Sequence, residues 1–140
     1  MSAPAAESAD KPAPAIKVLL VDDQRIIVEV VRRLLADEPD IVFHFCTDPN
    51  EAVARANEVG PTIILQDMVM PNIDGIEMVR RFRANPQTAR TPIIVLSGMD
   101  DAESKSCAFA AGANDYIRKL PPKEELLEHL RAQADPQKQQ

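Results

Sequence analysis

The feature that most restricts this chain is an alternation: from Lys17 onward, short runs of continuous apolar residues are separated by longer stretches of helical periodicity. The runs are Val18-Leu19-Leu20-Val21, Ile41 to Cys46, Ile63-Ile64-Leu65, Ile93-Ile94-Val95-Leu96 and a weaker Tyr116-Ile117. Strands with no polar alternation are covered on both faces, and strands that alternate with helices build a parallel sheet from βα units. Five such units fit. At 140 residues, 45% hydrophobic and 27% charged, the chain is long enough for one core of that kind and too short for two ordinary domains.

The expected domain spans 16–134. Residues 1–15 are almost entirely Ala, Pro, Ser and charge, a composition with too little apolar area to offset ordering entropy, and are expected to be a disordered leader. Residues 135–140 form a polar tail, so that nothing beyond the domain is expected to serve as output. In the first helix Ile26, Ile27, Val30, Val31, Leu34 and Leu35 are expected to make one buried stripe, with Glu29, Arg32 and Arg33 outside. The second is expected from about Pro49, behind Asp48, to Val59, where Gly60-Pro61 closes it. The third starts near Gly75, carries Ile76, Val79 and Phe82 and ends before Asn85-Pro86. The fourth runs from about Ala102 to Ala111 and stops at Gly112, and the fifth holds Leu126, Leu127 and Leu130 and cannot pass Pro136.

Composition excludes several function classes. A formal charge of -6 with scattered Lys and Arg argues against direct nucleic-acid binding, which needs clustered cations to displace counterions. No apolar run reaches membrane-spanning length and the N-terminus lacks a signal pattern, so no membrane insertion and a cytoplasmic location are expected. Cys46 and Cys107, without CxxC spacing, read as free thiols in a reducing compartment.

Ligands of an open parallel sheet bind outside the carboxyl ends of its strands. The first strand ends in Asp22-Asp23, the third in Gln66-Asp67, the fourth in Ser97-Gly98 and the fifth in Arg118-Lys119. Three crowded carboxylates repel one another, and such a cluster persists best beside a divalent cation and a lysine. Oxygen ligands without His or Cys select Mg²⁺, which keeps room for phosphate oxygens in its shell. Asp67, on the central strand, is placed to attack phosphorus, since carboxylates form aspartyl phosphates. Mg²⁺, Lys119 and the Ser97 hydroxyl would then offset charge on the transferring oxygens.

These motifs carry a resemblance. Val18-Leu19-Leu20-Val21-Asp22-Asp23, Asp67-Met68-Val69-Met70-Pro71 with Asp74-Gly75, Ser97-Gly98, and Ala111-Gly112-Ala113-Asn114-Asp115-Tyr116 with Lys119 resemble the receiver-domain signatures of response regulators. The similarity covers about Ile16 to Ala134, and the separations of 44 positions from Asp23 to Asp67, 30 to Ser97 and 22 to Lys119 fit the family. Within it, Leu65 to Pro71 and Lys119-Leu120-Pro121 are most similar in wording to the receiver half of WspR-type diguanylate cyclases, and no cyclase half is expected here.

The resemblance implies a doubly wound α/β fold, flavodoxin-like and CheY-like, with a five-stranded parallel sheet of order 2-1-3-4-5. It implies a phosphoacceptor at Asp67, fed by a sensor histidine kinase or a histidine phosphotransfer protein. Asp23 would bind Mg²⁺ directly, Asp22 through water, and the Val69 carbonyl would complete the protein ligands beside Asp67. Lys119 would contact the phosphoryl group. Ser97 would move toward it, vacating space that Tyr116 enters, and the face of the fourth helix, fifth strand and fifth helix would change for a downstream protein. Such a domain catalyses only its own phosphoryl transfer and hydrolysis. A stand-alone receiver would act as messenger or as phosphate sink, and the sequence leaves both open.

One departure from the family pattern is Leu120, where most relatives have Pro. A non-proline cis peptide there would cost roughly 3 kcal/mol, so a trans bond or a local rearrangement is expected. Val69 and Met99 flank the site with apolar side chains that cannot hydrogen-bond an attacking water, which implies a slowly decaying phosphoryl state. Blander readings stand beside these. Asp22 and Asp23 could cap the first helix. Tyr116 could be a packed core aromatic. His44 reads as packed, His129 as solvated, and Met68, Met70, Met78 and Met99 as packing or interface residues. A phosphatase of the haloacid dehalogenase type would need Asp-x-Asp after the first strand and a cap domain. A docking-only receiver would not need the full acceptor, metal and lysine set.

Overall fold

The computed structural model describes residues 16–70, 73–98 and 102–134. The expected leader and tail, with Pro71, Met99 and Pro136, lie outside the described residues. Five strands, β1 (Ile16–Val21), β2 (Ile41–Cys46), β3 (Ile63–Asp67), β4 (Ile93–Ser97) and β5 (Asp115–Arg118), form one parallel sheet in the order 2-1-3-4-5. Helices α1 (Arg25–Leu35), α2 (Ala52–Val59), α3 (Gly75–Ala84), α4 (Ala102–Ala111) and α5 (Lys123–Ala134) connect or follow them. The parallel sheet of βα units expected from the alternation is therefore observed, in the doubly wound order that the resemblance implies.

Period-two geometry divides the apolar strand residues between two layers. Leu19, Val21, Ile64, Ile93 and Val95 join Ala52, Ala56, Met78, Val79, Phe82 and Ala108 of α2, α3 and α4. Val18, Leu20, Ile63, Leu65, Ile94 and Leu96 join Ile27, Val28, Val31, Leu35, Leu126 and Leu130 of α1 and α5. Because both faces are covered, the central strands are continuous in apolar residues. Strand order reverses between β1 and β3, and the crevice at their carboxyl ends is where such a sheet holds a ligand.

The helix α1 stripe differs from the sequence expectation. Its buried residues are Ile27, Val28, Val31 and Leu35, whereas Val30 and Leu34 are half-buried and Ile26 is 71% exposed. Six residues at that spacing cover more arc than one packed face; the helix seats itself on the 27-31-35 line, which turns Ile26 to solvent. The helix ends follow local chemistry. Asp48 accepts from the Asn50 N–H at 3.0 Å and opens a 3₁₀ turn, Pro49–Glu51, that leads into α2. Gly60, at φ 64°, ends that helix in the left-handed conformation that glycine adopts without strain. Asp74 caps α3 by accepting from the Glu77 N–H at 2.9 Å. Between β3 and α3 the chain makes a two-residue antiparallel pairing, Val69–Met70 with Ile73–Asp74, that the sequence pattern did not announce.

Among the lesser expectations, Cys46 and Cys107 are free. Met68, Met70 and Met78 are buried and pack in the core. His44 is half-buried, and burial first, then the charges of Arg55 and Lys17, hold its pKa below the usual range. His129 is not simply solvated: its Nδ1 pairs with Asp115 Oδ2, tying α5 to the start of β5. Among the described residues no helix is long and apolar enough to cross a membrane.

Candidate functional site

The carboxyl ends of β1, β3 and β5 bring Asp22-Asp23, Asp67 and Lys119 into one pocket, and β4, between β3 and β5, ends in Ser97. Asp22 is fully buried, and its Oδ1 accepts from the Gln24 N–H at 2.9 Å. Gln24 itself is the N-cap of α1, without a side-chain capping bond, so neither aspartate caps that helix. Asp67 is 2% exposed and its Oδ1 meets the Val69 N–H at 3.4 Å. The Lys119 backbone N–H donates to the Ser97 carbonyl at 2.9 Å, which extends the β4–β5 ladder and aims the lysine at the pocket. Its ammonium stands 3.1 Å from Asp67 Oδ2 and 3.9 Å from Asp22 Oδ2.

Asp22 Oδ2 and Asp67 Oδ2 are buried and accept no hydrogen bond, so the lysine offsets their charge without satisfying their lone pairs. One oxygen each from Asp22, Asp23 and Asp67 lies within 4.8 Å of the others. Burial raises the pKa of Asp22 to about 6; the Gln24 N–H and Lys119 oppose that rise, and the charges of Asp67 and Asp23 add to it. Buried carboxylate oxygens without donors, converging with no His or Cys among them, fit a hard divalent cation such as Mg²⁺.

Ser97 and Tyr116 stand on adjacent strands and are both buried. The Tyr116 ring lies in the α2–α4 layer, with the Lys105 ammonium 5.8 Å from its centroid. Val69 is 65% exposed beside Asp67. The Lys119-Leu120 bond is trans, there being no cis peptide among the described residues, and Leu120 takes φ 57° instead. The chain therefore makes its local rearrangement in the left-handed region, which disfavours side chains with a Cβ.

Sequence reasoning passed over one neighbour of the pocket. Gln66 is fully buried and its Nε2 donates to the Gly75 carbonyl at 2.8 Å. The available signal was a polar residue at the end of an otherwise apolar run, Ile63-Ile64-Leu65.

A doubly wound sheet that ends in a buried carboxylate cluster beside a lysine defines a class of α/β domain built to hold a cation at its strand ends. The sequence matches the response regulator receiver domain over residues 18–131, and the chain belongs to that family, a signalling domain of two-component systems. It is 34% identical over 116 residues to the transcriptional regulatory protein TrcR of Mycobacterium tuberculosis, covering 83% of this chain and 44% of that protein. The chemotaxis protein CheY4 of Vibrio cholerae superposes with a TM-score of 0.78 at 32% identity, over 84% of this chain and 98% of that one. The receiver domain of sensor histidine kinase PA1611 of Pseudomonas aeruginosa, with a magnesium ion coordinated in its active-site cleft, gives 0.76 at 28% identity, over 85% and 97%. The chain spans about half or less of the length of the curated relatives it matches. Receiver domains take their phosphoryl group from histidine kinases or phosphotransfer proteins.

Proposed function

We propose that Asp67 is the phosphoacceptor of this receiver domain, residues 16–134, and takes its phosphoryl group from a sensor histidine kinase or histidine phosphotransfer protein in the cytoplasm. The observation that carries the reading is the buried, unsatisfied Asp67 Oδ2 with the Lys119 ammonium 3.1 Å away. That oxygen attacks phosphorus, the bond from phosphorus to the donor's imidazole nitrogen breaks, and an acyl phosphate forms on Asp67. Lys119 offsets charge on the transferred oxygens and the Ser97 hydroxyl donates to one of them. Asp22, Asp23, Asp67 and the Val69 carbonyl would hold Mg²⁺, which supplies positive charge to the phosphoryl oxygens when bound.

Of the exposed large apolar residues, Ile26, Val69 and Leu120 follow the ends of β1, β3 and β5, which supports a protein donor that docks around the pocket. Ser97 and Tyr116 form the switch, and the face of α4, β5 and α5 receives the downstream protein. The wording around Asp67 and Lys119 favours kinship with WspR-type receivers. The side chain of Val69 offers no hydrogen bond to an attacking water, so the acyl phosphate decays slowly.

Intact-protein mass after incubation with acetyl phosphate tests the proposal. A Mg²⁺-dependent phosphoryl adduct that persists for minutes or longer and disappears in Asp67→Asn is expected. Failure of the wild type to form one, while folded and with Mg²⁺ bound, would remove Asp67 from the acceptor role.

A further inference from the structure

We infer that Gln66 is a positioning residue: its amide fastens the first turn of α3 to the end of β3 and so fixes where Asp67 and the Met68-Val69 backbone stand. The inference rests on the phosphoacceptor reading of Asp67. Gln66 is fully buried in a strand of otherwise apolar residues before the acceptor, and its Nε2 donates to the Gly75 carbonyl at 2.8 Å. The reverse amide orientation would set two oxygens against each other, so this contact decides which way the amide faces.

Gly75 is held from its other side as well. Its N–H donates to the Met68 carbonyl at 2.8 Å. A Cβ at this position would stand 2.7 Å from Met68 O and 2.9 Å from Asp67 O, distances that no side chain tolerates. The helix start is therefore pressed against the backbone of the acceptor itself, and Gln66 closes a clamp in which residues 66 to 68 all meet Gly75. The clamp has a cost in stability. Gln66 Oε1 is buried and accepts no hydrogen bond, and an orphaned buried acceptor weakens a fold. A methionine would fill similar volume without that orphan, so a side chain serving the core alone would be apolar here.

Gln66→Met separates positioning from packing, with Gln66→Leu as a second variant should the first fail to fold. Three quantities are compared with wild type: melting temperature, the rate of Asp67 adduct formation from acetyl phosphate at saturating Mg²⁺, and hydrogen exchange at the Gly75 amide. The variant is expected to melt at or above wild type, to form adduct at least about tenfold more slowly, and to exchange the Gly75 amide faster. A folded variant with the wild-type rate overturns the clamp while leaving Asp67 as acceptor. Melting well below wild type in both variants, with rates lost only in proportion to unfolded chain, overturns it in favour of a packing role. Absence of adduct in the wild type overturns the acceptor reading, and the clamp with it.

Discussion

Two polar centres lie at opposite ends of the sheet, and they are built in opposite ways. At the amino ends of β4 and β5, Arg83 of α3 donates to the carbonyls of Thr88, Ala89, Thr91 and Gly112 and to the side chain of Asn114. Asn114 Oδ1 accepts in turn from the Ile93 N–H, and Thr88 Oγ1 donates to the Phe82 carbonyl. Each nitrogen of the guanidinium meets an acceptor, and its pKa is lowered only by burial. Gly112 leaves space for this packing, since a Cβ there would stand 2.9 Å from Arg83 Cγ. At the carboxyl ends, Asp22, Gln66 and Asp67 each keep a buried oxygen without a hydrogen bond. One centre is complete within the chain and holds three segments together. The other keeps buried oxygens without donors, and its buried charge opposes folding.

The contrast is broken most severely at the satisfied end. Arg83→Ala should cost about 3 kcal/mol or more, on the order of 10 °C in Tm, because it orphans several carbonyls at once. Chemical denaturation measures it, and a loss near zero would mean that water replaces the guanidinium freely. Arg83→Lys should recover little, since a single ammonium cannot span the same acceptors.

At the unsatisfied end the sign reverses. Folded Asp22 keeps its proton up to about pH 6, against an ordinary 3.8. Across that window the folded chain binds more protons than the unfolded chain, so this group's contribution to stability falls as pH rises through it. Asp22→Asn should therefore raise the metal-free stability at pH 7 by roughly 1–2 kcal/mol after allowance for solvent screening. Saturating Mg²⁺ should raise the Tm of the wild type at pH 7 and should gain much less in the variant. Thermal melts from pH 4 to 7 with and without Mg²⁺ check both statements, and identical pH profiles for the two proteins would contradict them.

The smallest effect is expected at the rim of the pocket. Leu120 stands at φ 57° with its side chain 48% exposed, so little packing is lost on truncation. Leu120→Gly should relieve the left-handed strain and stabilise by roughly 0.5 kcal/mol, the relief being partly offset by the entropy of glycine. A loss of stability in the melt would show that the leucine side chain holds this loop.

Much of this was legible in the chain itself. Continuous apolar runs such as Ile93-Ile94-Val95-Leu96 require two covered faces, and the strand-end carboxylates with Lys119 gave the residues of the pocket in order. Ends of helices written in local chemistry, Asp48-Pro49, Asp74-Gly75 and Gly60, were legible for the same reason: the group that caps lies within three residues of what it caps. Long-range and rotational facts were not. The turn of α1 that exposes Ile26 depends on which arc the sheet accepts. The partners of Arg83 lie up to 31 positions away in sequence, the pair between His129 and Asp115 spans 14, and the Gln66 clamp depends on how closely α3 approaches β3.

What the sequence by itself determined is a parallel sheet of βα units, most of its core and the residues gathered at its strand ends, because periodicity and strand-end placement are local properties repeated along the chain. Only the tertiary structure decided which polar atoms are satisfied and which are not. A hydrogen bond is made or missed within a few tenths of an ångström, and that distance is set by the packing of the whole.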